Sequence, residues 1–180
     1  MPLKIHDKAQ KTFMVAGVFH SGTSFISKAL LNSGVYMGRS IKSKYGDILE
    51  DYRITMLNRY ILKQAGGNCI AIPEEEAISN VDVREQAKRN MERKREENYL
   101  SGFKDPRLCI VGEHYLPFMD GDPYLICCFR KTDRVMNSLE RKTPRFADNQ
   151  RKKGAFKNVR GFVDEYNKRL IKLIKKFVDL

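Results

Sequence analysis

Two apolar periods alternate along this chain. Thr12-Phe-Met-Val-Ala-Gly-Val-Phe19 is a continuous run rich in β-branched and aromatic residues, the signature of a buried strand. It turns sharply through His20-Ser21-Gly22. Phe25 to Leu31 then follows with helical spacing, and Gly34 stands where a helix C-cap belongs. Val35 to Gly46 is polar, basic and Gly-punctuated, so it reads as a loop. From Asp47 to Ala65 the apolar positions Ile48, Leu49, Tyr52, Met56, Leu57, Tyr60 and Ile61 recur near helical period, and Gly66-Gly67 ends that helix. Glu50 and Asp51 are then expected in its first turn, where acidic residues complement the helix dipole.

The pattern continues in the same alternation. Pro73-Glu-Glu-Glu-Ala opens a short helix with Pro at its first position. Val81 to Asn98 carries mixed charges at helical spacing and reads as a solvated helix with no assigned chemistry. Tyr99 to Phe103 is a second strand, broken by Lys104-Asp105-Pro106-Arg107. Asp120-Gly-Asp-Pro is a turn, and Tyr124 to Phe129 is a third, apolar strand. Arg130-Lys-Thr-Asp133 leads into a helix through Val135, Met136, Ser138 and Leu139, with Thr132 or Asp133 as its N-cap. Thr143 to Lys157 is a basic, polar loop. Phe162 to Val178 is an amphipathic helix that turns Phe162, Tyr166, Leu170, Leu173, Ile174 and Phe177 inward. A further strand could lie hidden in 68–72.

Composition narrows the reading only a little. A chain of 180 residues fits one domain, 1–180, with its core at about 12–178. No apolar run reaches 18 residues, and the N-terminus lacks the apolar segment of a signal peptide, so a cytoplasmic protein is expected. Cys69, Cys109, Cys127 and Cys128 lack zinc-site spacing and read as reduced core thiols. The net charge is +12, and from Ser101 onward Lys and Arg outnumber Asp and Glu by 18 to 10. That balance suits a polyanionic ligand, or only a solvated surface. No zinc-finger, RRM or KH signature points to nucleic acid as the main partner.

The first strand, its turn and the following helix form an anion cradle. Free N–H groups of the first helical turn converge there, and the helix dipole favours negative charge. Ser21, Thr23 and Ser24 add hydroxyl donors. Gly17 and Gly22 have the spacing of G-x-x-x-x-G-K-[ST], but Thr23 replaces the Lys that reaches the β/γ-phosphates of ATP. A strand–turn–helix junction with no ligand is the alternative.

Val15-Ala-Gly-Val-Phe-His-Ser-Gly-Thr-Ser-Phe-Ile resembles the phosphosulfate-binding loop of sulfotransferases that use 3′-phosphoadenosine 5′-phosphosulfate (PAPS). His20 stands where that family usually has Arg or Lys, and histidine carries only part-time charge near neutral pH. Gly46-Asp-Ile-Leu-Glu-Asp51 resembles the family's G-x-F-E-D segment, and Phe103-Lys-Asp-Pro-Arg its F-K-D-P-R box. Arg130, with Ser138 eight residues later, matches its 3′-phosphate site, although Asp133 and its neighbours replace the usual Pro. Arg151 to Asn158 faintly resembles a basic flap over the nucleotide.

The resemblance implies an α/β three-layer sandwich of the P-loop type with a short parallel sheet, in a short or truncated member of the family. It implies transfer of a sulfuryl group from PAPS to a hydroxyl or amine of a carbohydrate or small molecule, releasing PAP, with no metal. His20, Ser21, Gly22, Thr23, Ser24, Arg130 and Ser138 would bind the nucleotide. Glu50 would be the acceptor base, with Asp51 or His114 next in line, and Lys104 and His20 would stabilise charge. Asp105 and Arg107 would pair and hold the turn. Two other classes remain: a P-loop nucleotide kinase, and a non-catalytic nucleotide-binding protein on the same fold.

Overall fold

The computed structural model describes residues 10–43, 46–142 and 159–180. Three strands, β1 (Lys11–Ala16), β4 (Leu100–Lys104) and β5 (Asp122–Cys127), form a parallel sheet in the order β4-β1-β5. In register, Phe13 lies beside Gly102 on one side and Tyr124 on the other. The three expected strands are all present. Residues 68–72 form no strand.

Side chains of β1 alternate between two apolar layers, as the pleat requires. Met14 and Ala16 enter the large core with Phe103 and residues of α2 (Tyr52–Gln64), α4 (Arg84–Glu97), α5 (Leu108–Val111) and α7 (Val159–Val178). Val15 packs on the other face with Val35, Met37 and Cys128, against Ile26 and Leu30 of α1 (Thr23–Asn32). The result is a short parallel sheet flanked by helices. The remaining helices are α3 (Glu75–Ser79) and α6 (Thr132–Lys142), with a 3-10 turn at Gly112–Phe118.

Both glycine stops behave as the sequence leads one to expect. Gly34 has φ 87°, Gly34 N–H donates to Leu31 O, and Val35 N–H reaches back to Leu30 O. Gly66 has φ 85°, and the N–H groups of Gly66 and Gly67 close on Lys63 and Leu62 in the same way. The carbonyls of Leu30, Leu31, Leu62 and Lys63, left open at the helix ends, are thereby satisfied.

The stretch before α2 differs from expectation. Residues 46–51 are not the first turns of a helix but a strand, β3 (Gly46–Asp51), antiparallel to β2 (Ser40–Ser43). The expected loop 35–46 therefore contains a strand. Helix α2 starts only at Tyr52 because Asp51 is its N-cap: its Oδ1 accepts from Arg53 N–H at 2.9 Å and Ile54 N–H at 3.2 Å. At α6, Thr132 and Asp133 already lie inside the helix, so neither is its cap. Helix α3 starts at Glu75, two residues after Pro73. The basic stretch Thr143 to Lys157, with the flap at 151–158, lies outside the described residues.

Helix α4 is not merely solvated. Val83 just before it, with Ala87 and Met91, is buried, and so is Lys94. Lys94 Nζ donates to Asp51 Oδ2 at 2.6 Å and to Gly102 O at 2.9 Å. One carboxylate thus caps α2 and anchors α4.

Candidate functional site

Because β1, β4 and β5 are parallel, the residues after Ala16, Lys104 and Cys127 emerge at one edge of the sheet. That carboxyl edge is where open α/β sheets hold ligands. A cleft of about 740 Å³ opens there. Its walls include His20, Gly22, Thr23 and Ser24 after β1, Ile48 and Glu50 of β3, Lys104 of β4, and Arg130 and Ser138 after β5. Residues expected from four separate stretches of sequence therefore line one cavity. Ser21 is buried behind it.

The turn after β1 is tightly made. Gly17 lies so close to the β5 side that an added Cβ would sit 2.6 Å from Ser21 Oγ and 2.7 Å from Cys128 O. Cys128 N–H donates to Ala16 O at 2.8 Å, which extends the β1–β5 ladder past the strands. Gly22 takes φ 109° immediately before α1, a conformation that suits glycine. Ser21 N–H is committed to Val18 O at 3.0 Å. The open donors expected over Ser21–Ser24 thus begin one residue later, at the start of α1, where first-turn N–H groups have no intrahelical acceptor. Ser21 Oγ is buried with no hydrogen-bond partner among the described residues.

The β5 side staples this turn in place. Arg130 Nη1 donates to His20 O at 3.1 Å, and Ser138 Oγ lies 3.2 Å from His20 Nδ1. The two residues expected to read a 3′-phosphate are thus also partners of His20. Arg141, one turn beyond Ser138 on α6, adds a second exposed cation to the same wall; its position three residues on was the available sequence signal.

Opposite lies a buried group of four charges. Lys104, only 2% exposed, donates to Ile48 O at 2.7 Å and lies 3.3 Å from Glu50 Oε1. Arg107 Nη1 lies 3.5 Å from Glu50 Oε2 and 2.8 Å from Asp105 Oδ1. Asp105 Oδ1 also accepts Arg107 N–H at 2.8 Å, so the expected Asp105–Arg107 turn is present. Two acids and two bases neutralise one another, as buried charges must. Burial, and then the Asp105 charge, raises the Glu50 carboxyl above its ordinary range, against the pull of Lys104 and Arg107. Burial opposes charge on Arg107, but Asp105, Cys69 and Glu50 more than offset it and raise its pKa.

Two non-glycine residues among those described have left-handed backbone, His20 (φ 65°) and Leu49 (φ 52°). His20 lines the cleft, and Leu49 sits between the lining residues Ile48 and Glu50. Leu49 N–H is held by Ser40 Oγ at 3.1 Å. Strain of this kind, of order 1–3 kcal/mol for each residue, concentrates where structure serves a ligand.

Comparison with family models, curated proteins and solved structures returns no match. The site therefore rests on its own geometry.

Other expected candidates lie elsewhere. His114 lines a different cavity, beside Asn80 and Pro117; its ring lies 3.1 Å from Ile78 O, and burial lowers its pKa. Asp51 caps α2 and holds Lys94 instead of facing the cleft. All four cysteines are free, and burial raises each thiol, Cys127 to about 11. Raised thiols make poor nucleophiles. Among the described residues no cluster of His, Cys, Asp and Glu could hold a metal ion, and no helix is long and apolar enough to cross a membrane.

Proposed function

We propose that the cleft binds PAPS and moves its sulfuryl group to an acceptor hydroxyl or amine, on a P-loop-like sulfotransferase fold. The observation that carries this reading is the convergence of His20, Gly22, Thr23, Ser24, Glu50, Lys104, Arg130 and Ser138 on one cavity at the carboxyl edge of the sheet. Each segment resembles a sulfotransferase motif, and their order in sequence does not by itself require them to meet.

In this reading the first turn of α1 receives the 5′-phosphosulfate, and the Arg130 fork holds the 3′-phosphate through two oxygens. Glu50 accepts the acceptor's proton. The acceptor oxygen or nitrogen forms a bond to sulfur as the bond from sulfur to the 5′-phosphate oxygen breaks, and PAP departs with the electron pair. Lys104 stabilises the charge that gathers on that oxygen. The raised Glu50 carboxyl suits a base more than an ordinary surface glutamate would.

One observation favours a binding protein without turnover: Glu50 is already engaged by both Lys104 and Arg107. Incubation with PAPS and a panel of sugars and phenols separates the two readings. Acceptor-dependent release of PAP by the wild-type chain, lost in Glu50→Gln, is expected of the enzyme. PAP binding with no release for any acceptor would leave the binding protein. Magnesium-dependent ATP turnover would instead point to the kinase.

A further inference from the structure

A second cavity, of about 330 Å³, lies on the other side of β3. Glu50 lines the cleft, whereas its neighbour Asp51 lines this cavity. Four cations border it: Arg39, Arg53, Arg93 and Lys94. Asp51 is their only carboxylate among the lining residues, and it is already occupied, since Oδ1 caps α2 and Oδ2 takes Lys94. Arg39, Arg53 and Arg93 are exposed, and Arg39 and Arg93 form no ion pair among the described residues.

A solvated basic face spreads its cations apart, because like charges repel. Here Arg39, just before β2, and Arg93 of α4 line one hollow with Arg53 at the N-terminus of the 13-residue helix α2. Concave walls of one sign focus the field and attract an anion. Guanidinium forks match the paired oxygens of a sulfate or phosphate. Tyr52 also lines the hollow and is exposed there, whereas the Tyr36 ring carries Lys94 Nζ at 5.7 Å from its centroid. The volume suits one small ring with its substituents.

We propose that this cavity binds a sulfate or phosphate monoester carried on a sugar ring. The inference is independent of the PAPS reading, because neither Arg39 nor Arg93 lines the cleft.

The test is titration of the full chain, followed by amide NMR shifts, with glucose 6-sulfate, glucose 6-phosphate, glucose and inorganic sulfate. At least one ester should bind ten-fold or more tighter than both glucose and inorganic sulfate, with shifts at Arg39, Tyr52 and Arg93. Which ester wins identifies the anion. The double variant Arg39→Ala/Arg93→Ala should weaken that binding ten-fold or more and leave the spectrum's dispersion and PAP affinity unchanged. Equal binding of glucose, equal binding of inorganic sulfate, or a double variant as tight as wild type would each overturn the proposal. Ester binding without PAP binding would sink the PAPS reading and leave this one standing.

Discussion

Glu50 is the residue on which the proposed chemistry turns. Its carboxyl must be ionised to take a proton, and burial with Asp105 nearby raises its pKa. Below that raised value the base is protonated and idle. Turnover should therefore climb with pH through a limb that lies above the ordinary glutamate range, and Glu50→Gln should lower turnover about 10²–10⁴-fold while nearly keeping PAP affinity. A pH–rate profile of both proteins checks this; wild-type-like turnover in Glu50→Gln would return Glu50 to a purely structural partner of Lys104 and Arg107. Arg130 makes a different claim. Arg130→Ala should weaken PAP by roughly 1.5–3 kcal/mol, the worth of a hydrogen bond to a charged group, and affect ligands without the 3′-phosphate far less. Since Arg130 also holds His20 O, equal losses for both ligands would assign it to the turn alone. At this scale much was legible, because Lys104, Arg130 and the Ser21–Ser24 turn each follow an apolar run that reads as a strand. The commitment of Ser21 N–H to Val18 O was not, since a backbone bond inside a turn leaves no mark on residue type.

Among the elements, the three sheet strands and both glycine-stopped helices could be read from apolar runs and stop signals. β2 and β3 could not. Ile48, Leu49, Tyr52 and Met56 fall near helical spacing, yet the first two belong to a strand and the others to α2. The overlooked signal was Asp51 itself, a capping residue directly before the helix. Lys94 was hidden for a related reason: in a run of mixed charges nothing marks the one that is buried. Its pairing gives a sharp prediction. Asp51→Ala removes the α2 cap and leaves the Lys94 ammonium buried without its carboxylate, so it should cost about 3–5 kcal/mol in denaturant unfolding. Lys94→Met combined with Asp51→Ala should recover part of that loss. A cost under about 0.5 kcal/mol, the level of an ordinary surface change, would show that the pair does not tie α4 to α2. Gly17→Ala tests the turn. Its Cβ would press on Ser21 Oγ and on the Cys128 carbonyl, so stability should fall by about 1–3 kcal/mol. PAP affinity should fall with it, because the cradle is displaced; an unchanged affinity would detach the turn from binding.

For the whole molecule, the net charge is +12, and both proposed sites assign its cations to anionic ligands. The central claim is narrower: that the cleft selects a 3′-phosphorylated adenine nucleotide. Calorimetric titration of the full chain with PAP, adenosine 5′-monophosphate and ATP with magnesium tests it most directly. The account predicts that PAP binds in one-to-one ratio, at least ten-fold tighter than the monophosphate, with ATP no better than the monophosphate and magnesium without effect. Absence of PAP binding, or magnesium-dependent ATP binding tighter than PAP, would contradict it.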